Sequence, residues 1–253
     1  MLFRSGLSAY DNAVVARMMA SADWLLNTET GLRHFNLAEK ALTAARKADD
    51  RLLIAQALFE FARSGAESGD DSRVQFAYRL VSEMLELEEN RSLPMAHYTQ
   101  GYCLYYLYDA ERARVALEKT IMLLKPIHNP IQLSLAYTGL GNCLRALCDI
   151  DGSQAAFENA LALAKRMGND SRASIIAGNI VALLLIKGDY EQAIRIGLNS
   201  VEYGNRALSQ PFLSASYMNL AEAYALRGEA EKDRKSTRLN SSHIQKSRMP
   251  SSA

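Results

Sequence analysis

The residues able to do chemistry are few, and they do not converge. His34, His97 and His128 stand in three different sequence contexts and pair with no regularly spaced carboxylate or cysteine. A histidine works as an acid, a base or a metal ligand when such a partner orients its ring. Gly139-Leu140-Gly141 lacks the preceding strand and the following Lys of a phosphate-cradling loop. Glu88-Glu89 falls in a polar connector, where paired acids are simply solvated. Cys103, Cys143 and Cys148 form no CxxC pair and have no His at zinc spacing, so neither a metal centre nor a disulfide framework is expected. These residues predict no enzyme, no cofactor and no metal. One feature is dense: Tyr98, Tyr102, Tyr105 and Tyr106 recur at helical spacing and so share one helix face. Tyrosine joins a flat apolar body to a hydroxyl at low entropic cost, which suits a peptide groove. The same stripe also suits a helix core. One thin seam cannot bury both Tyr102 and Tyr105, so part of the stripe is expected at the surface.

The elements that hold these residues are repeats. Gly101, Leu104, Asp109, Ala113 and Leu117 are followed 40 residues later by Gly141, Leu144, Asp149, Ser153 and Phe157. A further 40 residues give Val181, Leu184, Asp189, Ala193 and Gly197, and the next step gives Ala221, Tyr224 and Glu229. Backwards, Ala62, Gly69-Asp70 and Tyr78 fit after a slip of one residue, and Ala22, Ala38, Ala41 and Leu42 precede them. Self-similarity at this period predicts helix pairs that bury their apolar faces against neighbouring pairs.

The motif resembles the tetratricopeptide repeat. Leu140-Gly141 with Leu144 matches that family's first helix, and Ser153, Phe157 and Ala160 match its second; Leu220, Ala221 and Tyr224 repeat the first-helix marks. The period is longer than the family's usual length of about 34 residues, and is similar to that of MalT-type bacterial regulators. The resemblance implies an all-α, right-handed α-α superhelix whose first helices line a concave face. Its ligand-facing positions correspond here to Met95, Tyr98, Tyr102, Tyr105 and Tyr106, and in the next unit to Asn142 and Arg145. Asn142 would hydrogen-bond a peptide backbone and Arg145 would hold a carboxylate. The partner implied is a protein, a peptide or a small effector in the concave groove. The segment would then serve a larger bacterial signalling or transcription regulator, or stand alone as a scaffolding adaptor. Tyr98 and Tyr102 stand where the chaperone-type carboxylate clamp has Lys and Asn, which disfavours a chaperone-tail receptor.

The two ends read differently. Asp233 to Ala253 has no apolar periodicity and is similar to translated sequencing-adapter DNA, as is Met1 to Ser5. Residues 1–5 and 233–253 are therefore expected to be non-native and disordered, with one repeat domain over 6–232. Its units fall near 15–54, 55–93, 94–133, 134–173 and 174–213, with 214–232 truncated. Truncation predicts that Leu220 and Tyr224 are under-packed. Six of the 29 basic residues and one of the 28 acidic residues lie in those ends, which leaves the repeat region at −4. A mildly acidic solenoid has no electrostatic case for nucleic acid. The longest apolar run, Ile180 to Ile186, is far short of the roughly 20 residues of a membrane span. Sparse unpaired cysteines suit the reducing cytoplasm.

Connectors are legible too. Ser68-Gly69-Asp70-Asp71 should end one helix and cap the next. Pro94 suits a first helical turn, and Pro126 with Pro130 precludes a continuous helix. Gly168-Asn169 reads as a helix stop and cap, and Gly204 to Pro211 as the following connector.

Overall fold

The computed structural model describes residues 8–26, 31–208 and 210–228. The expectations on 1–5 and 233–253 lie outside them. Among the described residues the protein is all-α, with eleven α-helices and no strand. Contacts divide it into two compact units, with the boundary in the chain between His128 and Asn129, inside the proline-bounded connector.

The first unit holds α1 (Ala9–Leu26), α2 (Gly31–Ala48), α3 (Arg51–Ser68), α4 (Asp71–Glu86), α5 (Pro94–Tyr106) and α6 (Ala110–Leu124). Consecutive helices pack as pairs, and α3 also packs on α1 and α5, so the odd-numbered helices form a layer. Small residues make that layer possible. A Cβ added to Gly101 would lie 2.8 Å from Leu117 Cγ, so α5 reaches α6 only through glycine. Phe61 of α3 stands between Phe35 of α2 and Phe76 of α4, with ring centroids 5.5 and 5.6 Å apart. These contacts staple the second pair into its neighbour.

The second unit holds α7 (Pro130–Ala146), α8 (Ile150–Arg166), α9 (Asp170–Lys187), α10 (Tyr190–Arg206) and α11 (Gln210–Leu226). Its core joins Phe157 to Ile176, Val181, Leu183, Leu184 and Leu220. A Cβ on Gly141 would come within 2.6 Å of the fully buried Phe157 ring. Alanine would gain about 1 kcal/mol of helix propensity there. The enclosed ring cannot retreat, and overpacking costs about 1–3 kcal/mol, so the clash wins. Ser153 Oγ donates to the Gly141 carbonyl at 2.8 Å, which explains a small hydroxyl at that repeat position.

The turns follow the repeat closely. Asp70, Asp109, Asp149 and Asp189 cap α4, α6, α8 and α10, each carboxylate accepting the backbone N–H three residues on. The residue before each cap has positive φ: Gly69, Tyr108, Cys148 and Gly188, with Gly228 in the same register. Pro94 opens α5 as expected, and Asn129 and Asn169 cap α7 and α9.

Two expectations are corrected. Gly204 is not in a connector: it lies within α10, buried, where a Cβ would sit 3.3 Å from Leu213 Cα. Leu220 and Tyr224 are not under-packed. Both are buried, because Leu220 fills the space left by Gly197 and Tyr224 joins the same core.

Candidate functional site in the first unit

The tyrosine stripe occupies α5, which Pro94 starts and the Asp109 turn ends. Its members sit at graded depths. Met95 and Tyr98 are each 7% exposed and form the floor. Tyr102 and Tyr105 are half-buried, and Tyr106 is 39% exposed. Phe59 of α3 fixes the row from below, 5.2 Å from the Tyr98 ring and edge-on to Tyr102 at 5.0 Å. Tyr102 and Tyr106 lie 4.7 Å apart, and Tyr105 meets Tyr106 nearly perpendicularly at 5.3 Å. Burial raises the ionisation of the Tyr102 and Tyr106 hydroxyls above the usual value of 10.0, so both stay protonated at neutral pH.

Behind the aromatic row is a charged cluster that the sequence did not reveal. His34 of α2 is 3% exposed, contrary to its reading as a histidine without a carboxylate partner. Its Nδ1 is 3.1 Å from Glu67 Oε2, and its Nε2 is 3.5 Å from Glu60 Oε2. Both acids come from α3. Glu60, also 3% exposed, accepts a 2.6 Å hydrogen bond from Ser21 Oγ of α1 and pairs with Arg63. Arg63 in turn lies over the Phe59 ring at 5.3 Å. Burial opposes charge on His34, but the neighbouring carboxylates of Glu60 and Glu67 outweigh it, and its pKa stands above 6.5. Burial likewise opposes the Glu60 charge, yet His34 and Arg63 bring its pKa below 4.5. The pairing is invisible in the sequence because its partners are 26 and 33 residues from His34, not one repeat apart.

Asn142 and Arg145 fall on α7, in the other unit. The Asn142 carboxamide oxygen is buried without a hydrogen-bond partner among the described residues, and Arg145 is half-buried. Cys103 and Cys143 are buried, which pushes both thiols up to about 12. They are therefore inert at neutral pH and serve as small apolar residues. Asn219 Nδ2 reaches the Gly178 carbonyl at 3.5 Å, in keeping with a role between neighbouring helix pairs. No group of three or more His, Cys, Asp or Glu among the described residues is arranged to hold a metal ion. No described helix is long and apolar enough to cross a membrane.

No protein-family model and no curated protein matches this chain. Solved structures do match. BtubC (BKLC) from P. vanneervenii has a TM-score of 0.66 at 13% identity, over 95% of this chain and 95% of that one. A Rap protein complexed with Competence and Sporulation Factor gives 0.68 at 12% identity, over 95% and 77%. The nearly identical TPR-like repeats of a Podosopora anserina kinesin light chain give 0.62 at 15%, over 79% and 100%. Identities this low speak to architecture alone, and the architecture they share with this chain is the tetratricopeptide-like helical-repeat solenoid.

Proposed function

We propose that this chain is a non-catalytic repeat segment that binds a protein or peptide, and that it serves a larger bacterial signalling or transcription regulator in the cytoplasm. The observation that carries this reading is the graded tyrosine face of α5, anchored on Phe59 and partly open to solvent. Rigid aromatic side chains held by their neighbours gain contact area at little entropic cost, which favours recognition. Asn142 supports it separately: a buried acceptor lacking a donor costs about 1–3 kcal/mol, and a peptide N–H would remove that cost. The regulator reading draws on the likeness to a Rap protein complexed with Competence and Sporulation Factor. Unpaired cysteines favour a reducing compartment.

The test is selection of a displayed random-peptide library on the whole chain, with enriched peptides re-measured on Tyr106→Ala. The expected result is a shared motif whose affinity falls at least about tenfold in the variant, as for an interface anchor. Enriched peptides that bind wild type and Tyr106→Ala equally would remove α5 as the binding face.

A further inference from the structure

The buried ionic cluster of the first unit is balanced only when its imidazole is charged. Glu60, Arg63 and Glu67 all come from α3 and act on His34 of α2. With His34 protonated, two negative and two positive charges meet in one place. Three of the four side chains are enclosed: His34 is 3% exposed, Glu60 4% and Arg63 11%. The fourth, Glu67, is 37% exposed. From α1, the Ser21 hydroxyl reaches Glu60, and Arg17 stands one turn before Ser21. From α4, Arg73 lies over the neighbouring Phe35 ring at 3.8 Å and pairs with Asp70 at 2.8 Å.

Loss of the proton forces a choice on the ring. An imidazolium donates from both nitrogens, whereas a neutral imidazole donates from one and carries a lone pair on the other. Nδ1 is 3.1 Å from Glu67 Oε2 and Nε2 is 3.5 Å from Glu60 Oε2, so the lone pair faces a carboxylate in either tautomer. Glu60 cannot withdraw from it, being enclosed and held by Ser21 and Arg63. Glu67 can, because its side chain already reaches water, where a carboxylate needs no buried partner. The remaining N–H therefore points to Glu60, and the Glu67 contact is the one lost.

We propose that His34 and Glu67 form a proton-operated latch, which holds α2 against the last turn of α3 and opens locally when the imidazole gives its proton to solvent. Glu67 stands two residues before Gly69, whose left-handed backbone ends α3, so its release frees the end of that helix. Phe61, seated between Phe35 and Phe76, keeps the helices packed meanwhile, so opening is not unfolding. The two carboxylates outweigh the burial of His34, which puts the change above pH 6.5. The latch stands apart from the reading of α5 as a binding face.

NMR of the whole chain from about pH 5.5 to about pH 9, a range that brackets histidine titration, tests it. The His34 ring signals report the proton, the Glu67 carboxyl signal reports the contact, and amide exchange reports the helix end. All three should change with one midpoint, above 6.5. Exchange at residues 65–68, corrected for its intrinsic pH dependence, should quicken about tenfold across that midpoint, with the centre of α3 unchanged. Glu67→Gln keeps an acceptor for the ring but removes the charge, so it should lower the His34 midpoint and flatten the exchange profile. His34→Gln should make exchange at the helix end independent of pH. Circular dichroism of each variant confirms that the helices persist. A His34 ring that titrates while Glu67 and the helix end stay constant would overturn the latch. A ring that keeps one protonation state throughout, or exchange that quickens equally along all of α3, would overturn it as well.

Discussion

Cys148 shows how a repeat register can override local preference. It holds φ at 61° in the turn before the Asp149 cap, where the equivalent turns at Gly69 and Gly188 use glycine. A side chain in the left-handed region costs about 1 kcal/mol relative to glycine, because Cβ crowds the carbonyl. Cys148 is exposed, so its side chain returns little packing for that cost. Cys148→Gly should therefore raise the unfolding free energy by about 1 kcal/mol, offset in part by the greater freedom of glycine in the unfolded chain. Urea denaturation showing a lower midpoint at unchanged slope would contradict this. The four Asp caps were readable in the sequence because one side chain suffices to cap a helix. The positive φ at Tyr108 and Cys148 was not, since nothing in those residue types announces it. Tyr108, 90% exposed, is placed by its turn and lies outside the aromatic row on α5.

Between elements, the tie that matters most is buried and ionic. His34 joins α2 to α3, and Ser21 adds α1 through Glu60. The pKa of His34 is raised in the fold, so its contribution is fully present below about pH 6.5 and is lost as pH rises through the folded value. Glu60 is depressed, so its contribution is present above about pH 4.5 and is lost as pH falls through its lower folded value. The cluster is then most stabilising between those two limits. His97 acts in the opposite sense: burial lowers its pKa, which makes protonation costly on the acidic side. Comparing wild type with His34→Gln cancels that term. The stability gap between them should be largest near pH 6 and should narrow towards pH 8.5, measured by urea unfolding at each pH. A gap constant with pH would mean that the imidazole is held neutral throughout. Sequence reading assigned these helices but missed the tie, because a contact from α2 to α3 breaks the repeat register. The glycines behaved otherwise. Gly101 and Gly141 marked the helix-to-helix contacts correctly, since close approach leaves room for no other residue.

Within each unit, the described helices pack chiefly on partners one or two places away in the chain. That locality is why the fold could be read from a 40-residue period: each motif specifies its own neighbours, and no distant strand pairing has to be guessed. It is also why the candidate face was only partly legible. The tyrosine spacing places that face on α5, while the exposure of each tyrosine depends on Phe59, which belongs to the preceding repeat. Local packing makes stability a sum of repeat and nearest-neighbour terms instead of one global quantity. Phe157→Ala empties the centre of the second unit and should cost about 3–5 kcal/mol, because the ring is fully buried. Hydrogen exchange on that variant should show faster amides in α7 to α10, whose side chains surround the cavity, with α1 to α4 close to wild-type protection. If protection instead fell equally in all these helices, the chain would unfold as a single cooperative body. The nearest-neighbour account of its stability would then fail, even though its contacts are local.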